Sequence, residues 1–173
     1  MKARNIITST LAAAVLTTLT IAPLHAEDSK LYPASSCVKV SGSTPALSFS
    51  RLFNPGTGRM GLDCPVVHDN PLRSIQDGYV DVIDQNFANN TTNNPDTQVC
   101  AELVSLSQAF SSTITFRSTG RKCSTGANSV SQRLSFGGLP TNGNAHYYYS
   151  VTIPGTFNGQ RSGIVTYRVD END

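Results

Sequence analysis

Apolar and polar positions alternate in short runs along this chain, and turn-forming residues divide the runs. Met60, Leu62, Cys64 and Val66 fall on every second position, as do Tyr147, Tyr149, Val151 and Ile153. Successive side chains of a strand point to opposite faces, so each set marks the buried side of a half-exposed strand. Helical spacing of apolar residues is almost absent. The pattern predicts strands over residues 37–41, 46–53, 60–67, 79–87, 99–106, 113–118, 130–136, 145–153 and 162–170. Leu47, Phe49 and Phe53 are expected on one side of the second strand. Ile114 and Phe116 are expected inward, as are Leu134 and Phe136. Asn54-Pro55-Gly56, Pro154-Gly155 and Asn158-Gly159 read as turns. Asn70 as a cap, Pro71 at the first helical position and Gly78 as a stop predict one short helix holding Ile75. Short strands recurring every 8–15 residues or so predict an all-β fold, an antiparallel β-sandwich of about eight or nine strands.

The first 26 residues break this pattern. Lys2 and Arg4 precede an apolar run from Leu11 to Leu24, and Ala26 is a small residue before a cleavage point. This reads as a secretory signal peptide. Residues 27–36 read as a flexible lead and 37–173 as a single domain. Export leaves 147 of the 173 residues, enough for a core without oligomerisation, so a monomer is expected. Thr17, Thr18 and Thr20 interrupt the early apolar run, and no membrane span is expected in the mature chain.

Removing Lys2 and Arg4 takes the 13 basic residues to 11 against 12 acids, a net charge of about −1. That balance gives no electrostatic footprint for nucleic acid. The four cysteines are Cys37, Cys64, Cys100 and Cys123. An even count in an exported chain predicts two disulfides, with three connectivities open. Cys37–Cys64 with Cys100–Cys123 is favoured because each pair then joins neighbouring strands. No pair has the spacing of a structural zinc site, and no cofactor is expected.

Candidate chemistry is sparse. His68 beside Asp69 has the composition of a general base with an orienting carboxylate, but no G-x-S-x-G nucleophile motif accompanies it. Asp63, Asp69, Asp77, Asp81 and Asp84 cluster in sequence, as carboxylates do around Ca²⁺ or in glycosidases. Asp81 and Asp84 lie three positions apart, on opposite faces of a regular strand. The strongest binding candidate is His146-Tyr147-Tyr148-Tyr149. Tyr147 and Tyr149 fall on the core side, leaving Tyr148 beside His146 on the outer side as a platform for a sugar ring or a partner. Arg117, Arg121 and Lys122, joined by Arg133 if the flanking strands pair, suit an anionic group. Asn89-Asn90-Thr91-Thr92 carries the N-glycosylation pattern.

The runs Cys37-Val38-Lys39, Arg51-Leu52-Phe53-Asn54 and Asp63-Cys64-Pro65-Val66-Val67-His68-Asp69 are informative together. With the late Tyr-rich strand and Ile153-Pro154-Gly155, they make the chain resemble small secreted β-rich proteins of Gram-negative bacteria. The resemblance implies a bacterial exported protein and carries no functional residues across. The sequence thus predicts a secreted protein, periplasmic or extracellular. It is expected to act as a recognition or envelope module for carbohydrate or another extracellular protein through Tyr148, His146, Arg117 and Arg121. Its rivals are a hydrolase using His68 with a nearby Asp, and a Ca²⁺-dependent adhesive module.

Overall fold

The computed structural model describes residues 28–70, 72–86, 93–108, 113–126, 128–142 and 144–171. The signal segment and the Asn89–Thr92 glycosylation pattern lie outside them. Twelve strands form two antiparallel sheets: β1 (Asp28–Pro33), β2 (Val38–Ser41), β3 (Ala46–Ser48), β4 (Arg51–Phe53), β5 (Met60–Val66), β6 (Ile75–Asp84), β7 (Cys100–Gln108), β8 (Ile114–Ser118), β9 (Lys122–Cys123), β10 (Asn128–Phe136), β11 (His146–Ile153) and β12 (Gly163–Glu171). Sheet A runs β10-β6-β12-β4-β3, with β1 also on β12; sheet B runs β2-β5-β11-β7-β8, with β9 also on β7. The predicted sandwich is therefore present, with more strands than expected.

Several local expectations are corrected. The segment read as a lead holds a strand from Asp28: β1 pairs with β12 from Asp28↔Glu171 to Pro33↔Thr166. Lys30 donates to the buried Glu171 carboxylate at 2.7 Å, which ties β1 to the end of β12. The helix is absent; Ile75 begins β6 and Gly78 lies inside it. Asn70 still accepts a hydrogen bond from the Leu72 N–H at 3.0 Å, closing a turn instead of a helix. The predicted strand 46–53 is a hairpin. Phe49 and Ser50 both have positive φ, as a tight primed turn requires, and Phe49 at its tip is 98% exposed.

The core lies between the sheets. Alternation puts Met60, Leu62, Cys64 and Val66 of β5 and Tyr147, Tyr149, Val151 and Ile153 of β11 inside. Val80, Val82, Ile164, Tyr167, Val169, Leu134 and Phe136 face them from sheet A. Tyrosines cross the gap in both directions. Tyr149 of sheet B donates to the Arg168 carbonyl of sheet A at 2.8 Å. Tyr167 of sheet A donates to the Pro65 carbonyl of sheet B at 3.0 Å. Tyr32 of β1 stacks on Tyr167 with ring centroids 5.0 Å apart and accepts the Val67 N–H. Aromatic bulk thus fills the interior while each hydroxyl finds a partner, which removes the cost of burying it.

Both expected disulfides are present, Cys37–Cys64 and Cys100–Cys123. Cys100 and Cys123 are direct cross-strand partners on β7 and β9. Val38↔Asp63 pairing places Cys37 at the same position relative to Cys64. Asp84 forms a second kind of tie. It is fully buried at the end of β6 and accepts hydrogen bonds from Ser124 Oγ, Ser162 Oγ and the Asn86 N–H. It thereby joins the ends of three segments.

Candidate functional site

The outward faces of the two sheets differ in how they satisfy their own polar groups. On sheet A, Arg133 donates to both Asp81 oxygens at 2.9 Å and lies 3.6 Å over the Tyr79 ring. Arg168 donates to Asp170 at 2.5 Å and approaches Asp77 at 3.7 Å. That face is closed by its own ion pairs.

The outward face of sheet B is built from three successive rungs across the strands. Register places Asp63 (β5), Ser150 (β11) and Glu102 (β7) side by side. The next rung holds Pro65, Tyr148, Val104 and Ser118. The third holds His146, Leu106 and Phe116. Neighbouring strands lie about 4.7–4.9 Å apart, so the two carboxyl-bearing backbones are separated by roughly 10 Å. Tyr148 is half-buried and stacks with His146, ring centroids 5.6 Å apart. Val104, on the same face, is covered to 1% exposure. An aromatic and apolar band of Tyr148, His146, Leu106 and Phe116 therefore runs beside a band of hydrogen-bond acceptors.

The acceptors are not equivalent. Glu102 accepts from Ser118 Oγ at 2.8 Å and has Arg121 at 3.9 Å. Among the described residues, the Asp63 carboxylate makes no hydrogen bond and no ion pair. Partial burial pushes the Asp63 carboxyl above the usual carboxylate value, and His146 only partly offsets this. Burial also raises the Tyr148 hydroxyl, helped by the Asp63 and Glu102 charges. The nearest lysine on the adjoining edge, Lys39, turns to the Gly42 carbonyl at 3.3 Å.

Of the residues singled out in the sequence, Tyr148, His146 and Arg121 meet on this face. Arg117 does not join them: it pairs with the buried Ser105 and so lies on the opposite side of β8 from Phe116. Lys122 and Arg133 line a separate groove of about 460 Å³ above Cys123 and Leu134. β10 pairs with β6 and not with β8, so the basic residues do not form one patch. The aspartates are likewise dispersed over Asp63 on sheet B, Asp77 and Asp81 on sheet A, Asp69 on Lys30 at 3.0 Å, and Asp84 in the interior. Among the described residues, no three His, Cys, Asp or Glu side chains are grouped as around a metal ion. His68 stacks on Tyr147 with centroids 4.5 Å apart, and its Nε2 lies 2.9 Å from the Arg73 carbonyl. Its neighbour Asp69 is turned to Lys30, so the sequence pair is not a structural pair.

No family model matches the chain, and no curated protein matches it. Among solved structures, it is similar to the CBM36-1 domain of a multidomain xylanase from the hindgut metagenome of Trinervitermes trinervoides. That likeness has 9% identity and a TM-score of 0.45, and covers 84% of this chain and 98% of the other. A low affinity xylan binding module, CBM86, from Roseburia intestinalis is similar at 7% identity and a TM-score of 0.47, covering 83% and 96%. The infectious bursal disease virus structure is similar at 10% identity and a TM-score of 0.41, covering 93% of this chain and 36% of the viral one. Scores at this level carry no argument about ligand or activity.

Ile114 and Phe116 lie on the opposite side of their strand from the one the alternation predicted. They are 61% and 58% exposed, on the outer side of β8. Their alternation was visible, but alternation alone does not say which side of an edge strand meets the core. The signal available was Leu106 across the hairpin, which shares their side. Glu102 and Ser150 were not singled out either, because only strand register reveals them as neighbours of Asp63.

Proposed function

We propose that this protein is a non-catalytic recognition module that binds a glycan across the outward face of sheet B. The observation that carries the reading is the half-buried Asp63 carboxylate, which has free acceptor capacity beside the stacked Tyr148–His146 pair. Sugars present apolar C–H faces and hydroxyl-bearing edges. An aromatic band next to carboxylate and serine acceptors is complementary to both. Asp63, Ser150 and Glu102 lie across the strands, so an extended oligosaccharide would run perpendicular to β11. Its ring faces would rest on Tyr148, and its hydroxyls would donate to Asp63 and Glu102. Arg121 steadies Glu102 at the rim.

The two disulfides support an oxidising compartment, and with it the reading of residues 1–26 as an export signal. The placement of Asp63 and Glu102 on strands two apart, with Ser150 between them, supports binding over catalysis, since an acid–base mechanism needs groups converging on one bond.

Affinity electrophoresis through gels carrying soluble polysaccharides tests the proposal. The oxidised protein should be retarded by at least one glycan. Tyr148→Ala should abolish the retardation while the far-ultraviolet spectrum stays that of a β protein. Because Tyr148 also covers Val104, Phe116→Ser serves as a second variant that removes an exposed ring without uncovering the core. Retardation unchanged in both variants would sink the reading.

A further inference from the structure

We propose that this face selects glycans bearing free amino groups over neutral or acidic ones. The proposal rests on the glycan-binding reading above and deepens it.

Two features of different kind coincide at Tyr148. The first is the aromatic platform, an electron-rich ring half-open to solvent and stacked on His146. Such a ring attracts a cation over its face. The second is the charge of the rungs around it. Asp63 and Glu102 flank Ser150 on either side, and both lie close enough to act electrostatically on Tyr148. Among the described residues, His146 offsets the Asp63 charge in part, and one guanidinium lies near Glu102. Arg121 sits 3.9 Å from Glu102, while Lys39 is held at Gly42 and Lys122 lies over the Phe136 ring. Arg117 is on the other side of β8. With His146 neutral, two carboxylates against one guanidinium leave the platform net negative, although the whole chain is nearly neutral.

Asp63 is the group with most to gain from a ligand. It is partly withdrawn from water and, among the described residues, no protein donor has replaced the lost hydration. A hydroxyl offers it one neutral hydrogen bond. An ammonium group offers up to three donors and a full compensating charge. An amine on a sugar ring resting on Tyr148 satisfies both features at once, since the ring stacks and the cation meets Asp63. A uronate carboxylate would instead meet two like charges across the same rung.

The test is calorimetric titration of the oxidised protein, slightly below neutral pH, with matched oligomers of glucosamine, N-acetylglucosamine, glucose and galacturonate. The glucosamine oligomer should bind roughly tenfold more tightly than its N-acetylated counterpart, and the difference should shrink as salt is added. Asp63→Asn should erase the difference, so that within that variant the amino and N-acetylated oligomers bind with equal affinity. Asp77→Asn, on the outward face of sheet A, should keep it. Equal affinity for the amino and acetylated oligomers, both lost in Tyr148→Ala, would overturn the amine preference and leave the platform standing. A preference that survives Asp63→Asn, or tightest binding of galacturonate, would overturn it as well. Failure of every oligomer to bind would instead overturn the glycan reading itself.

Discussion

The Tyr149 hydroxyl stands 2.0 Å from where a Cβ on Gly78 would lie. The Arg168 carbonyl, which accepts the tyrosine's hydrogen bond, is 2.7 Å from the same point. Gly78 is therefore the opening in sheet A through which a side chain of sheet B reaches the opposite backbone. Gly78→Ala should destabilise the fold by about 1–3 kcal/mol through overpacking. Tyr149→Phe should cost about 1 kcal/mol by leaving the Arg168 carbonyl without that donor. The double variant should cost less than the two together, because removing the hydroxyl relieves one of the two collisions. Urea unfolding of the four proteins measures the coupling; strict additivity would contradict this geometry.

If the face binds glycan as proposed, Asp63 sets stability and binding in opposition. Its carboxyl is raised above the ordinary 3.8 by burial, so in that window the folded state holds more proton than the unfolded one. Stability contributed by the neutral carboxyl is complete below the unfolded value and is lost as pH rises through the folded one. Asp63→Asn should accordingly raise the melting temperature near neutral pH and leave it unchanged well below the carboxylate range. The same variant should bind glycan less well or less selectively. Melting curves across pH check the first half, and a variant less stable at neutral pH would refute it.

The buried tyrosines should resist alkali. Burial, with Tyr32 adding to it, pushes the Tyr167 hydroxyl up to about 12 from 10.0. Tyr149 is raised further, again chiefly by burial. A raised folded value means that the stabilisation holds below pH 10 and fades as pH climbs toward 12. Absorbance titration of the phenolate band should show the more exposed tyrosines ionising first, then a late step coincident with unfolding. Ionisation of all six tyrosines in one early phase would contradict the interior placement.

Each disulfide closes a loop of similar length, with sequence separations of 27 and 23. Loop entropy then predicts a loss of about 3–4 kcal/mol for either paired Cys→Ser variant. Only the Cys100→Ser/Cys123→Ser variant should also loosen the rim of the platform, since β9 ends the segment carrying Ser118 and Arg121. Faster hydrogen exchange at the Thr119 and Ser124 amides, which bond to Leu103 and Val99, would report it.

Period-two alternation made the inward faces of β5 and β11 legible, because both strands are central and one face must be dry. It also separated Tyr148 from Tyr147 and Tyr149. It misplaced Phe116 because β8 is an edge strand whose exposed ring rests beside Leu106 instead of in the core. The Phe49-Ser50 turn was missed because neither residue is the glycine or asparagine that usually marks positive φ. The helix over residues 70–78 was read from cap residues alone, with no amphipathic face to follow them; Asn70 closes a turn and Gly78 lies inside β6. The turn at Asn54 was legible, but the long-range ties of Asp84 to Ser124 and Ser162, of Asn54 to the Ile153 and Pro154 carbonyls and of Asn142 to Ser105 left no local signal, since their partners are distant in sequence. Asn54, for example, donates to the Pro154 carbonyl 100 positions away.

β12 touches β6 along one edge and shares its other edge between β4 and β1. It is also the last of the twelve strands among the described residues in chain order. The centre of sheet A therefore does not exist until every earlier strand has been synthesised and is waiting for it. Such a topology delays closure of the protein until translation has passed residue 171, and such long-range pairing folds slowly.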